Sequence, residues 1–291
     1  MAASKTQSNG KVRKADAPRG SSPAAAPGAR LAAAFEAVEK FPALIESRTR
    51  VMQAATAETA RVGELVEAVE ADVALTIAVL RFANRSGNVG SVPAAVEILK
   101  PSGVLAIAGT APVFDFFESN GGWELRPEQF RVHALATQQA AARIGREIGW
   151  DDRDELIVAA LLHDIGRLVV SKLHPGRRTY FDASSRTPEQ RIREEREQLG
   201  IDHALVGGVL ARRWNVPPRI AVAIERHHAE DAEGLAAIIA TADMVAHYSQ
   251  GEAVTPERLR ESAKRCGLGS DGLRALLYEL PYPRETDSRV S

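Results

Sequence analysis

Apolar residues in this chain recur at helical spacing and nowhere alternate over a stretch long enough to make a strand. In "EADVALTIAVLRFAN", Leu75, Val79 and Phe82 fall at i, i+4 and i+7, with Asp72 placed to cap the helix. The same spacing predicts helices at about 127–148, 154–171, 188–199, 202–214, 217–229, 234–248 and 256–265. Ala and Leu carry most of a 45% hydrophobic content and aromatics only 5%, a mix that favours helix. No fixed-period repeat is present. The chain is expected to be all-α.

Punctuation divides it. Residues 1–30 are rich in Ala, Gly, Ser and Pro and read as a disordered basic tail, with order beginning near Leu31. A first helical lobe then covers 31–119, in which "SVPAAVEIL" restarts a helix after the turn-rich stretch Asn84–Val92. Glu118–Trp123, with Asn120-Gly121-Gly122, reads as a hinge to a second helical lobe at 120–285.

Lys5, Lys11, Arg13, Lys14, Arg19 and Arg30 face Asp16 alone, so the tail carries +5 of a net charge of −1 and the body is left at −6. An acidic body with few aromatics argues against a nucleic-acid footprint or single-strand stacking. The longest uncharged apolar stretch, Gly103–Phe114, is too short and too broken to span a membrane, and the start of the chain lacks a signal peptide's apolar core. Cys266 is the only cysteine, which excludes an internal disulfide and an all-cysteine zinc site. A soluble cytoplasmic protein is expected.

The second lobe places charge where a helix wants leucine. In "DELIVAALLHDIGRLVV", Ile157, Ala160, Leu161 and Asp164 share one face, with His163 one step round. A carboxylate on an apolar face is costly unless a cation or strong donors meet it, and an adjacent imidazole makes a metal the economical partner. Asp243 repeats the problem as the only charge between Leu235 and Ala246. His227 and His228 continue the face of Ile220 and Ile224; His203 shares one with Val206, Leu210 and Trp214; His133 shares one with Phe130, Ile144 and Ile148. Any one of these is an ordinary core histidine. Five histidines and two aspartates on apolar faces of one lobe point to shared metal binding. His174 and His247 fall outside the pattern and are expected at the surface or behind the ligands.

The order His133, His163-Asp164, Asp243 resembles the H…HD…D signature of the HD superfamily of metal-dependent phosphohydrolases, and "HDIG" is a specific local match. His203 and the His227-His228 doublet resemble the extra ligands of two-metal members such as the HD-GYP group. Over about 33–248 the chain is similar to HDOD proteins, mostly bacterial signalling modules: "VEADVALTIAVLRFANRSG…VPAAVEIL" resembles their N-terminal lobe, and "EREQLGIDHALVGGVLARRWNVPPRIAVAIERHH" their second. Three positions depart from these patterns. "HHAEDAEGL" replaces the Gly-Tyr-Pro motif, which gives no support to cyclic-di-GMP; Arg167 stands for the usual Lys after HDxG; and Arg85 follows Asn84 where Ser is common.

The resemblance implies one ion held by His133, His163, Asp164 and Asp243 and a second by His203, His227 and His228, with Asp164 bridging. Such a ligand set suits iron, manganese, zinc, cobalt or nickel. Two ions lower the pKa of a bridging water and clamp phosphate oxygens. Asp164 and Arg167 are then the catalytic residues, Arg167 gripping the phosphate of a phosphodiester or nucleotide. The rival expectation is a non-catalytic signalling module whose metal is structural and whose N-terminal lobe docks a partner protein.

Overall fold

The computed structural model describes residues 27–57, 61–114, 127–174 and 186–279. The predicted hinge and the predicted tail up to residue 26 lie outside them, but helix begins at Pro27, four residues before the expected start of order at Leu31. The stretch expected as the first lobe holds α1 (Pro27–Val38), β1 (Ala43–Leu44), α2 (Ile45–Thr56), α3 (Val62–Glu70), α4 (Val73–Ala83), α5 (Val92–Thr110) and β2 (Val113–Phe114). The second holds α6 (Pro127–Ile148), α7 (Arg153–Leu162), α8 (Ile165–Leu173), α9 (Pro188–Leu199), α10 (His203–Arg213), α11 (Pro218–Arg226), α12 (Gly234–Ser249), α13 (Pro256–Arg265) and α14 (Ser270–Glu279). Among the described residues the fold is all-α apart from a two-residue parallel pairing, Ala43 with Val113 and Leu44 with Phe114.

In the first lobe α5 is the hub, packed against α2, α3 and α4. Asp72 caps α4 as its position predicts, accepting from the N–H groups of Ala74 (2.9 Å) and Leu75 (3.2 Å). Its second oxygen accepts from Leu44 N–H at 3.0 Å and faces Arg131 of α6 at 3.5 Å, so one buried carboxylate ties β1, α4 and the second lobe together. Leu75 and Val79 are buried, but Phe82 is 45% exposed. The expected stripe ends early because the last turn of α4 runs past the core, where the Arg85 guanidinium covers the Phe82 ring at 4.0 Å. Asn84 closes the following turn with two bonds to the Val89 backbone.

One membrane expectation needs correction. Val92–Thr110 has the length and composition of a span, which the sequence reading did not find. It is broken in two at Lys100 (φ 59°), ahead of Pro101. No other described helix is long and apolar enough to cross a membrane.

The second lobe wraps α12, which packs against α6, α7, α11 and α13. Five of the predicted helices hold to within a residue at each end. The predicted 154–171 helix is instead split into α7 and α8, with His163 closing one and Asp164 opening the other. The predicted 217–229 helix stops at Arg226, and α14 carries a helix the sequence reading did not claim. The N-terminal helix also departs from its expected lobe: α1 packs against α8, where Arg30 donates to the Leu173 carbonyl at 2.7 Å.

Candidate metal centre

The break between α7 and α8 builds the centre. A continuous helix would point His163 and Asp164 about 100° apart; as C-cap and N-cap of successive helices, both instead reach the same buried space. Gly166 makes the next step possible. A Cβ there would sit 1.9 Å from the His203 carbonyl oxygen and 2.7 Å from Gly207 N, so only glycine lets α10 lie against α8. That close approach brings His203 Nε2 to 3.1 Å from Asp164 Oδ1.

All seven predicted ligands meet in this space. His133 Nε2 lies 3.0 Å from Asp243 Oδ1, 3.3 Å from His163 Nε2 and 3.6 Å from Asp164 Oδ2. His163 Nε2 is 3.5 Å from Asp243 Oδ1. On the other side His203 Nε2 is 3.1 Å from His228 Nε2, and His227 Nε2 is 4.0 Å from Asp164 Oδ1. His228 is half-buried and the other six are buried. Asp164, His203, His227 and His228 form one group able to hold a cation, and His133, His163 and Asp164 another, with Asp164 common to both.

The outer nitrogens decide what the inner ones can do. His163 Nδ1 is 2.7 Å from the Ala160 carbonyl, His227 Nδ1 is 2.7 Å from the Ile224 carbonyl, and His203 Nδ1 is 2.8 Å from Glu195 Oε2. Each of these partners only accepts, so each ring carries its proton outward and turns the Nε2 lone pair toward the two aspartates. Lone pairs facing carboxylates make a cage of acceptors. Among the described residues, His227 Nε2 and Asp243 Oδ2 are buried without any hydrogen-bond partner. That donor-poor geometry fits a divalent transition metal.

The electrostatics divide the rings: against burial, Asp164 and Asp243 raise His163, while other rings are held neutral. Burial, reinforced by His247 for one and by His163 and His203 for the other, pushes His133 and His227 down to about 4, the neutral ligand form. Burial would raise both aspartates, but Arg167, His163 and His203 hold Asp164 well below the carboxylate range, and His247 and His133 do the same for Asp243. Against burial, Glu195 and Asp164 raise His203 to about 10. Two buried carboxylates need positive charge; a proton on His203 is one source and a cation is the competing one.

Arg167 is buried, and its Nη1 donates to Asp164 Oδ2 at 2.8 Å, because α8 starts at the residue after Asp164 and i+3 reaches back one turn. Glu195, Glu252 and Arg191 had no place in the sequence expectation. Glu195 holds both the ring and the backbone N–H of His203. His247, expected at the surface or behind the ligands, is buried with its ring stacked on His133 at 4.2 Å, and Glu252 and Arg191 lie against it. The signal for His247 was available: it stands at i+4 from Asp243.

Residues 41–230 match the HDOD domain family model. The chain is similar in structure to the MmoQ response regulator of Methylococcus capsulatus (TM-score 0.64, 23% identity, covering 82% of this chain and 98% of that one). It is also similar to a virulence factor from Campylobacter jejuni (TM-score 0.64, 19% identity, covering 88% and 98%). These likenesses establish a shared fold. No curated protein matches the chain.

Proposed function

The chain belongs to the HDOD domain family, and from that premise we propose that it is a signal-transduction protein whose second lobe binds one or two divalent transition-metal ions and hydrolyses a phosphodiester or nucleotide. One observation carries the reading: inward-facing imidazole lone pairs ring two buried carboxylates, with His227 Nε2 and Asp243 Oδ2 left unpartnered. His133, His163, Asp164 and Asp243 would hold one ion, and Asp164, His203, His227 and His228 the other. When bound, such ions supply Lewis-acid charge to phosphate oxygens and an activated water. Glu195 orients His203 through its Nδ1, and Arg167 fixes the rotation of Asp164. A phosphate would have to compete with Asp164 for Arg167, so this arginine's effect on substrate runs through the shared carboxylate. The protein is expected in the cytoplasm.

One observation favours a second reading, a non-catalytic module with a structural metal and a first lobe that docks a partner protein. The cavity against His227 and His228, walled by Met244, Arg258 and Ser262, has a volume of about 20 Å³, room for a single water. A nucleotide does not fit in this cavity.

Metal analysis of protein purified without chelator or nickel, followed by a panel of phosphodiesters and nucleotides, separates the readings. The enzyme predicts bound metal and turnover that Asp164→Ala abolishes. Metal without turnover above the Asp164→Ala background leaves the module; no metal removes both.

A further inference from the structure

Behind Asp243 the end of α12 folds back on the cluster. His247 lies one turn beyond Asp243, with Nε2 3.0 Å from Asp243 Oδ1 and Nδ1 2.8 Å from Glu252 Oε2. Gly251, at φ 75°, takes the left-handed backbone that reverses the chain. The Glu252 N–H then donates to the His247 carbonyl at 2.9 Å while its carboxylate returns to the ring. Arg191 of α9 closes the row, its Nη1 donating to Glu252 Oε2 at 3.0 Å and so holding the carboxylate that faces His247 Nδ1. His247 and Arg191 are buried. Of this row only His247 touches Asp243, while Glu252 from the following turn and Arg191 from α9 lie behind its ring.

Resting on the metal reading above, we propose that His247, backed by Glu252 and Arg191, is a positioning residue that holds the Asp243 carboxylate in its ligating rotation. A carboxylate on a helix can turn about its last bond, and each orientation lost on binding weakens the site. A donor fixed at Oδ1 removes that freedom in advance and leaves Oδ2, which has no partner, available. Partners placed this way behind a ligand typically change metal affinity by about 10–100-fold. The His247 ring, stacked on His133, also keeps that ligand from turning away.

The test is manganese titration of the full chain after chelation and desalting, comparing wild type with His247→Leu, His247→Gln, Glu252→Gln and Asp243→Ala. His247→Leu should weaken binding by about 10–100-fold without changing the number of ions bound. His247→Gln, whose side-chain N–H can still reach Asp243, should recover most of the loss, and Glu252→Gln should show a smaller loss in the same direction. Equal affinity in wild type and His247→Leu overturns the positioning role and leaves the metal reading standing. Loss of one ion from the count overturns it differently: His247 is then itself a ligand, since it can share a cation with His133 and Asp243. If wild type binds no manganese while retaining its helicity, both readings fall. Should His247→Leu not fold, wild-type affinity in both His247→Gln and Glu252→Gln, set against loss in Asp243→Ala, refutes the proposal.

Discussion

Asp72 in the first lobe and Asp243 in the second are both buried on apolar helix faces, yet their surroundings are opposite. Asp72 is met by three backbone N–H donors and by the charge of Arg131 at 3.5 Å. Asp243 is met by imidazoles, one of its oxygens crowded by three rings and the other with no partner. A buried carboxylate saturated by donors is a structural joint. One that keeps an unpartnered oxygen beside the ring nitrogens of His133 and His163 is a place for a cation. Burial alone does not tell them apart; the identity of the partners does.

The largest effect that could break this comparison is on Asp72. Replacing it by Ala removes a helix cap and leaves Arg131 buried beside the vanished charge, a loss of about 3–5 kcal/mol. Urea unfolding should show that loss equally with chelator and with manganese. If the deficit depended on metal, Asp72 would belong with the second kind of carboxylate.

Asp243→Asn is the complementary change. It keeps shape and removes the anion, so the chelated protein should unfold near the wild-type midpoint. Wild type should gain about 2.7 kcal/mol from metal at a hundred times its dissociation constant, and the variant almost none. An equal gain in both would mean that the ion binds elsewhere.

Much of this contrast is legible in sequence, but unevenly. Helical periodicity marks the elements, and a lone charge inside "LAAIIATADMVA" marks Asp243 as a residue in need of a partner. The cap at Asp72 is a local signal and reads correctly. Arg131 and Leu44, the long-range partners of Asp72, leave no trace, since nothing in a one-dimensional pattern reports which side chains meet across lobes. The break at His163-Asp164 was hidden for a related reason. "LLHDIGRLVV" has unbroken helical periodicity, and the kink is imposed by packing α8 backbone-to-backbone on α10 at Gly166. The supporting row of Glu195, Arg191 and Glu252 reads as ordinary surface charge in the charged α9 and the turn after α12. Only the fold turns those residues inward.

Glu70, at the end of α3, is the intermediate case: a half-buried acid with neither the donors of Asp72 nor the imidazoles of Asp243. Burial comes first and Asp154 second in raising its pKa from 4.5 to about 7; Glu67 adds to this and Arg153 opposes it. The folded acid therefore keeps its proton where the unfolded chain has released it. The stability this confers is fully present below about pH 4.5 and is lost as pH rises through about 7. Each tenfold difference in proton affinity is worth ~1.4 kcal/mol, and partial exposure to water reduces the total to about 1–2 kcal/mol. Glu70→Gln should remove that loss. Unfolding midpoints measured at pH 5, 6.5 and 8 in the presence of chelator should fall for wild type and fall less steeply for the variant. Parallel slopes would show that Glu70 is solvated like any surface acid, leaving two kinds of buried carboxylate in this molecule and not three.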